Sequence, residues 1–162
     1  MSAPTPALVF ENFEQLENYL HQLLKQGYQQ TGTWDLAQTA LHLNDWITFP
    51  IDGYPRLPVW QRCPLWMFKV TAGRRQLRKI LRSGFSSGGP TLGSTTYSAG
   101  RMDETEAVSR YLASVDRFRC HNQNYHASPL FGHMTPEEMQ QLQLCHAAHH
   151  LTLLVPQHQG SA

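Results

Sequence analysis

The sequence predicts an all-α protein, and the spacing of its apolar residues is the basis of that prediction. Five stretches place apolar residues at the intervals of an amphipathic helix, and each is bounded by residues that begin or end helices. No segment of four or more residues alternates in the manner of a half-buried strand, and no internal repeat is evident. Amphipathic helices joined by loops favour a helical bundle around one core.

The length and composition narrow the class of protein. With 162 residues, the chain has the size of one domain, so we expect a single domain over 1–162. The formal net charge of +1, from 13 basic and 12 acidic residues, gives no reason to expect nucleic acid or an anionic membrane as a partner. No run approaches the ~18 apolar residues of a membrane span, and the N-terminus lacks the pattern of a signal peptide.

The three cysteines indicate a reducing compartment. Cys63, Cys120 and Cys145 are odd in number, far apart and outside any CxxC pair. This spacing argues against both a disulfide framework and a zinc site built from cysteines. We therefore expect reduced thiols in a cytoplasmic protein.

The first predicted helix begins after Asn12, which together with Gln15 suits a capped start, and it ends at Gly27. The second opens at Gly32-Thr33, carries Asp35 in its first turn and ends at Pro50. Its packing face consists of apolar residues at helical spacing: Leu36, Ala40, Leu43 and Ile47.

A second stripe of the second helix contains His42, Trp46 and Phe49, about a third of a turn from the packing face. A histidine flanked on its own face by two aromatic side chains is expected to be at least partly enclosed. No other helix apart from the last offers an interior imidazole so clearly.

A loop rich in proline, glycine and aromatic residues is expected between Pro50 and Pro64, followed by a third helix over 65–81. This helix carries a basic run that is more typical of a solvated face than of a nucleic-acid interface. The Gly/Ser-rich stretch 83–101 is expected to be a long loop without a phosphate-binding motif, and a flap over a site is one possibility.

The fourth predicted helix starts at a capping box formed by Asp103 and Glu106 and ends near Cys120. His126 and His133 lie in the connection that follows it. Either histidine could reach the mouth of a site, although loop histidines are more often surface residues.

The last predicted helix spans 135–156. Thr135 and Glu138 form a T-x-x-E capping box, Pro136 suits the first helical position, and Pro156 marks the end. One stripe of this helix carries two histidines among apolar residues: Met139, Leu142, His146, His150 and Leu153.

His146 and His150 are one turn apart, which is the spacing that lets two imidazoles on one helix bind a single cation. A buried imidazole costs free energy unless its nitrogens are satisfied, and a shared metal satisfies both rings. Two independent core histidines are the alternative. His42 is the candidate third ligand. Three nitrogens with positions left for water are typical of a catalytic zinc site, and nickel or iron would also be accepted.

Several motifs resemble those of a known family. The sequence WDLAQTALHL of the second helix and HAAHH of the last are similar to the DinB-like superfamily of helical bundles, which binds a divalent metal through three histidines. The branch that carries the domain DUF1569 is closer still, through Gly53-Tyr54-Pro55, the SPLFG turn at 128–132 and the stretch 146–151. Ser128 departs from the pattern, because histidine is expected there in this branch.

The resemblance implies an up-and-down four-helix bundle with an additional helix and long loops. It also implies metal ligands at His42, His146 and His150, with His149 packed beside them. Several DinB-like relatives are thiol-dependent S-transferases or isomerases, and relatives commonly form homodimers. We therefore expect a small-molecule substrate, with a low-molecular-weight thiol as one candidate.

The leading hypothesis is a metal-dependent enzyme of S-transferase or hydrolase type, in which the metal activates a thiol cosubstrate or water. The predicted pocket residues are Trp46, Phe49, His149 and His126. No catalytic residue is assigned, and Asp35 and Asp45 are weak candidates for a general base. The alternatives are a non-catalytic metal-binding or stress-associated bundle and a helical interaction module with core histidines.

Overall fold

The computed structural model describes residues 8–85, 96–100 and 102–157, and most of these residues are helical. The elements in chain order are α1 (Phe13–Gln26), β1 (Tyr28–Gln30), α2 (Leu36–Asp52), α3 (Val59–Phe68), a π-helical segment (Lys69–Gly73), α4 (Arg74–Ser83), α5 (Glu104–Arg119), α6 (Pro136–Leu151) and β2 (Leu154–Pro156). The predicted helical class is confirmed, with the addition of a short two-stranded sheet.

Side-chain caps fix where the helices begin. Asn12 accepts a hydrogen bond from the Gln15 backbone N–H at 2.9 Å, and Asp103 caps α5 in the same way. Thr135 and Glu138 form the predicted capping box of α6. Asp35 lies one position before α2 rather than in its first turn, because it forms a capping box with Gln38.

Four helices, α1, α2, α5 and α6, share the larger hydrophobic core. The helix pairs in contact include α2 with α5, α2 with α6, and α1 with α5 and with α6. The fully buried side chains in this core include Leu16, Leu20, Ile47, Tyr111 and Leu151. A smaller cluster of Leu77, Ile80, Phe131 and Leu142 attaches α4 to α6.

Several predicted boundaries are wrong. Helix α2 begins at Leu36 rather than at Gly32-Thr33 and continues through Pro50 to Asp52, α3 begins at Val59 rather than at residue 65, and α6 ends at Leu151 rather than near residue 156. Proline is tolerated in α2 because the carbonyl it leaves without an N–H donor, that of Trp46, accepts from the Gln143 side chain of α6 at 3.2 Å.

Helix α6 ends early because the chain beyond it pairs with another segment. Strands β1 and β2 are antiparallel, with Gln29 opposite Val155. Strands of three residues are too short to show an alternating pattern, so they could not be predicted from the sequence. Leu153 follows the end of α6 and is 42% exposed, so its predicted place on the buried stripe is wrong.

The SPLFG turn packs directly on the π-helical segment. The buried Ser128 hydroxyl accepts from the backbone N–H groups of Leu130 and Phe131, and Gly132 has φ +75°. A Cβ atom on Gly73 would lie 2.3 Å from the Leu130 carbonyl oxygen, so only glycine fits at this contact.

Most of the predicted loop at 83–101, including its proposed role as a flap, lies outside the described residues. Within the part of the chain that the structure describes, no helix has both the length and the apolar character that a bilayer crossing requires. All three cysteines are free thiols, as expected.

Candidate metal centre

Helices α2 and α6 bring three histidines together. The Nε2 atom of His42 lies 3.2 Å from Nε2 of His146, which lies 3.1 Å from Nε2 of His150. All three ligand atoms are within 4.8 Å of one another. His42 and His146 are 1% and 8% exposed, and His150 is half-buried, so the cluster lies between the two helices rather than on the surface.

Ordinary two-centre hydrogen bonds do not account for both short contacts of His146 Nε2. A ring nitrogen of a neutral imidazole offers either one N–H or one lone pair. If His146 Nε2 carries a proton, it can donate to one neighbouring Nε2 atom but has no lone pair with which to accept from the other. If it carries no proton, its single lone pair must accept from both neighbours. A cation at the centre satisfies all three nitrogens at once.

The spacing also fits a transition-metal ion. Nitrogens that are each ~2.0–2.1 Å from one ion and near the tetrahedral angle lie roughly 3.3 Å apart. Two of the three separations, 3.2 and 3.1 Å, are close to that value, and the third is no more than 4.8 Å, so small side-chain adjustments would bring all three nitrogens to one ion. The residues present therefore fit a divalent metal.

The surroundings keep His146 and His150 in the neutral form that binds metals. Burial lowers the pKa of His146 well below its ordinary value, and the neighbouring His150 and His42 lower it further. Burial, with His42 and His149 as neighbours, lowers the pKa of His150 to about 3. Burial also lowers the pKa of His149.

Aromatic rings surround the cluster. The Trp46 ring lies 5.3 Å from that of His146, and Phe49 packs against Trp46 at 5.9 Å. The His149 ring is 5.0 Å from that of His150. Of the predicted pocket residues, Trp46 and His149 thus border the histidines directly, and Phe49 lies one ring further away.

His126 lies elsewhere. It is exposed, its backbone N–H donates to the Pro50 carbonyl, and its ring lies beside Gly53. At 1.5 Å per residue, Gly53 is roughly 16 Å along α2 from His42. The structure therefore does not bring His126 to the cluster, because the connection after α5 packs at the C-terminal end of α2.

The two weak candidates for a general base have structural partners. The Asp35 carboxylate accepts from the Gln38 N–H at 2.7 Å as a helix cap. Asp45 accepts a short hydrogen bond from the Tyr97 hydroxyl. Both carboxylates therefore already accept hydrogen bonds from other groups.

Two aromatic residues of the site were missed by the sequence analysis. Trp34 stacks on His150 with an interplanar angle of 11° and centroids 5.4 Å apart, and its ring is 4.9 Å from that of His42. Phe85 lies 5.4 Å from His146. The position of Trp34 in the WDLAQTALHL motif was the available signal. Nothing in the spacing around Phe85 indicates its place.

A cavity of about 540 Å³ adjoins the centre. It lies between the end of α4, the segment before α1 and one face of α6. Phe85 and His149 line it and also contact the histidine cluster, while Cys145 and Arg82 lie further along its wall. A small molecule in this cavity would approach the histidines past these two rings.

The model of one protein family, described as "Protein of unknown function (DUF1569)", matches residues 4–157. The three histidines and the aromatic residues around them all lie within the matched range. No curated protein and no solved structure gives a significant match to the chain.

Proposed function

The chain belongs to the DUF1569 family, whose model covers nearly its whole length, and we propose that its three histidines bind a divalent metal ion that acts on a small molecule. Zinc, nickel and iron(II) each accept imidazole nitrogen ligands. The observation that carries the proposal is the convergence of three buried or half-buried histidine nitrogens from α2 and α6, with His146 Nε2 within 3.2 Å of His42 and 3.1 Å of His150.

When bound, such an ion would act as a Lewis acid and lower the pKa of a water molecule or thiol that reaches it. The protein's own part is to hold the three rings and keep bulk water away. Trp34 fixes the plane of His150 by stacking, and Trp46 covers His146. These contacts would keep the ligand set rigid while a reactant enters.

We further propose that a low-molecular-weight thiol or another small molecule enters through the cavity beside His149 and Phe85. The cavity volume of about 540 Å³ falls in the range of small-molecule sites. A cytoplasmic location would keep such a thiol reduced, and the free cysteines of the chain are consistent with that environment.

The arrangement of α1, α2, α5 and α6 around one core, with ligands from α2 and α6, supports placing this family among the DinB-like helical bundles. That placement, and with it thiol transfer or hydrolysis as the reaction, is part of the proposal.

A second candidate function is metal binding that only stabilises the fold or serves a stress response. The near-complete burial of His42 and His146 favours it, because a structural ion needs no access to solvent. The aspartates considered as bases already accept hydrogen bonds from other groups, which also favours it.

Metal analysis of untagged protein tests the binding. After chelation and reconstitution with Zn²⁺, Ni²⁺ or Fe²⁺, we expect about one ion per chain for the native sequence and a loss of at least tenfold in affinity for His146→Ala and His42→Ala. His133→Ala is the matched control because His133 is an exposed histidine of the preceding connection. Equal metal content in His146→Ala and the native protein would rule out this centre.

Activity assays then separate the two functions. Metal-loaded and metal-free protein are compared for thiol transfer and for hydrolysis with a panel of small electrophiles. An activity that requires the ion and is lost in His146→Ala supports the enzyme. A bound ion that raises thermal stability but changes none of these rates supports the structural role.

A further inference from the structure

Helix α3 presents an apolar surface to solvent. None of its residues is buried. Five large apolar side chains on α3 and the start of the π-helical segment are more than half exposed: Val59 77%, Trp60 74%, Trp66 59%, Met67 55% and Val70 57%. Exposing two tryptophan side chains to water costs free energy. Within the part of the chain that the structure describes, no apolar partner covers this helix face.

The exposed residues form one stripe. At about 100° per residue, Val59, Trp60, Cys63, Trp66, Met67 and Val70 fall within an arc of about 120°. The inner side of the same helix carries Leu65 and Phe68, which are partly buried. Helix α3 is therefore amphipathic with its apolar face outward, which is the reverse of the usual orientation in a water-soluble domain.

The charge of this region has one sign. No Asp or Glu occurs between Asp52 and Asp103, whereas nine cationic residues do: Arg56, Arg62, Lys69, Arg74, Arg75, Arg78, Lys79, Arg82 and Arg101. Of these, Arg74 forms an ion pair with Glu138 at 2.7 Å. The balanced charge of the whole chain conceals a strongly basic segment.

The π-helical segment aligns the cations with the apolar stripe. Arg75, Arg78, Lys79 and Arg82 are exposed and lie on one face of α4 at spacings of i, i+3, i+4 and i+7. A π-helical residue turns the chain by about 80° rather than about 100°, so five such residues reduce the rotation by roughly 100°. That correction moves the cationic face of α4 to the side on which α3 exposes Trp60 and Trp66.

We propose that the stripe of α3 and the cationic face of α4, together the α3–α4 surface, dock on an anionic lipid bilayer with the helices parallel to the membrane plane. The apolar stripe enters the headgroup region, where tryptophan is favoured, and the cations contact lipid phosphates. The association is peripheral and does not require a membrane-spanning segment.

Charge complementarity favours an anionic lipid surface over a second copy of the chain as the partner of the α3–α4 surface. A symmetric dimer through this face would bring the same cations of both copies together, which opposes association.

Vesicle co-sedimentation of the full-length protein tests the proposal. Phosphatidylcholine vesicles are compared with vesicles that contain one quarter phosphatidylserine, at low and high salt. We expect at least tenfold stronger partitioning to the anionic vesicles and a loss of that preference at high salt. Tryptophan fluorescence should shift to shorter wavelength on binding, because Trp60 and Trp66 leave water.

Two variants divide the surface into its parts. The double variant W60S/W66S should lose at least tenfold in partitioning and the fluorescence shift, and R75Q/R78Q/R82Q should lose the preference for anionic lipid. All five positions are exposed, so both variants are expected to keep the circular dichroism spectrum of the native protein. Val9→Ser and Arg110→Gln, exposed residues elsewhere, are the matched controls.

Three results would overturn the proposal. One is equal partitioning to neutral and anionic vesicles. Another is no partitioning, with a concentration-dependent dimer in light scattering that W60S/W66S abolishes, because a second copy would then cover the face. The last is tight binding of a single-stranded RNA oligonucleotide without any vesicle binding.

Discussion

The position of the His146 ring relative to His42 could not be predicted from the spacing of residues along one helix. The i, i+4 pair predicts that His146 and His150 share a face of α6. The distance of 3.2 Å from His42 depends on how α2 and α6 cross, which no local pattern gives. The sequence nevertheless identified His42, because an imidazole between aromatic residues on one face is expected to be enclosed.

Trp34 illustrates what local reasoning leaves out. It lies before α2, where helical periodicity does not apply, and it reaches His150 only because the Asp35 cap directs the chain into the helix at that point. Stacking of this kind depends on the path of a loop, so the motif could mark Trp34 as notable without giving its role.

The charge of Glu138 should make a pH-dependent contribution to stability. Its ion pair with Arg74, aided by the backbone N–H of Thr135, lowers the pKa of Glu138. The ionised form is thus favoured by folding, and the stabilisation is present above the unfolded-state pKa and lost as pH falls through the folded value. Glu138→Gln keeps the capping box and removes only the charge.

We expect Glu138→Gln to lower the free energy of unfolding by about 0.5 kcal/mol at pH 7, a small value because the Arg74 side chain is half exposed. The difference from the native protein should vanish below about pH 4. Urea denaturation across this range measures it, with Glu14→Gln, an exposed acid of α1, as the control. A difference that stays constant with pH would show that the ion pair is not its cause.

At the scale of elements, Pro50 and Gln143 form a coupled pair between the two helices that carry the histidines. Proline has no N–H for the Trp46 carbonyl, and the Gln143 side chain supplies the missing donor from α6. Sequence rules place a helix end at Pro50. The rule failed here because a tertiary contact replaced the lost hydrogen bond.

A double-mutant cycle should reveal this coupling. Gln143→Leu leaves a carbonyl without its donor and is expected to cost about 1–3 kcal/mol. In the Pro50→Ala background the new backbone N–H can bond to Trp46, so the cost of Gln143→Leu should fall by about 1 kcal/mol. Urea denaturation of the four proteins measures both costs. Strict additivity would contradict the proposed compensation.

The contact between the π-helical segment and the SPLFG turn should tolerate no side chain. Gly73→Ala places a Cβ atom 2.3 Å from the Leu130 carbonyl oxygen, and we expect a loss of about 1–3 kcal/mol in the free energy of unfolding. Thr71→Ala, an exposed change in the same segment, should stay within about 0.5 kcal/mol. Chemical denaturation compares the two. An unchanged midpoint for Gly73→Ala would mean that the turn moves freely.

For the whole molecule, metal binding should stabilise the fold because the three ligands come together only in the folded state. Zn²⁺ at about a hundred times its dissociation constant adds about 2.7 kcal/mol, which corresponds to a rise of roughly 5–10 °C in Tm for a domain of this size. Calorimetry with and without chelator measures the rise. His150→Ala should abolish it, whereas His126→Ala should preserve it.

Helical content and the shared core were predictable at this scale, since periodicity and caps are local properties. The two-stranded sheet was not, because its segments are short and far apart in sequence. The outward-facing stripe of α3 was also missed, since the predicted helix began too late to include Trp60.

The packing of α2 against α6 also determines when the site can exist. His42 precedes His146 by 104 residues. At ~5–20 residues per second, a ribosome synthesises α2 about 5–20 s before it synthesises α6. During that interval His146 and His150 have not been synthesised, so the set of three ligands is incomplete. Metal capture is therefore expected to await the synthesis of α6 and its packing against α2.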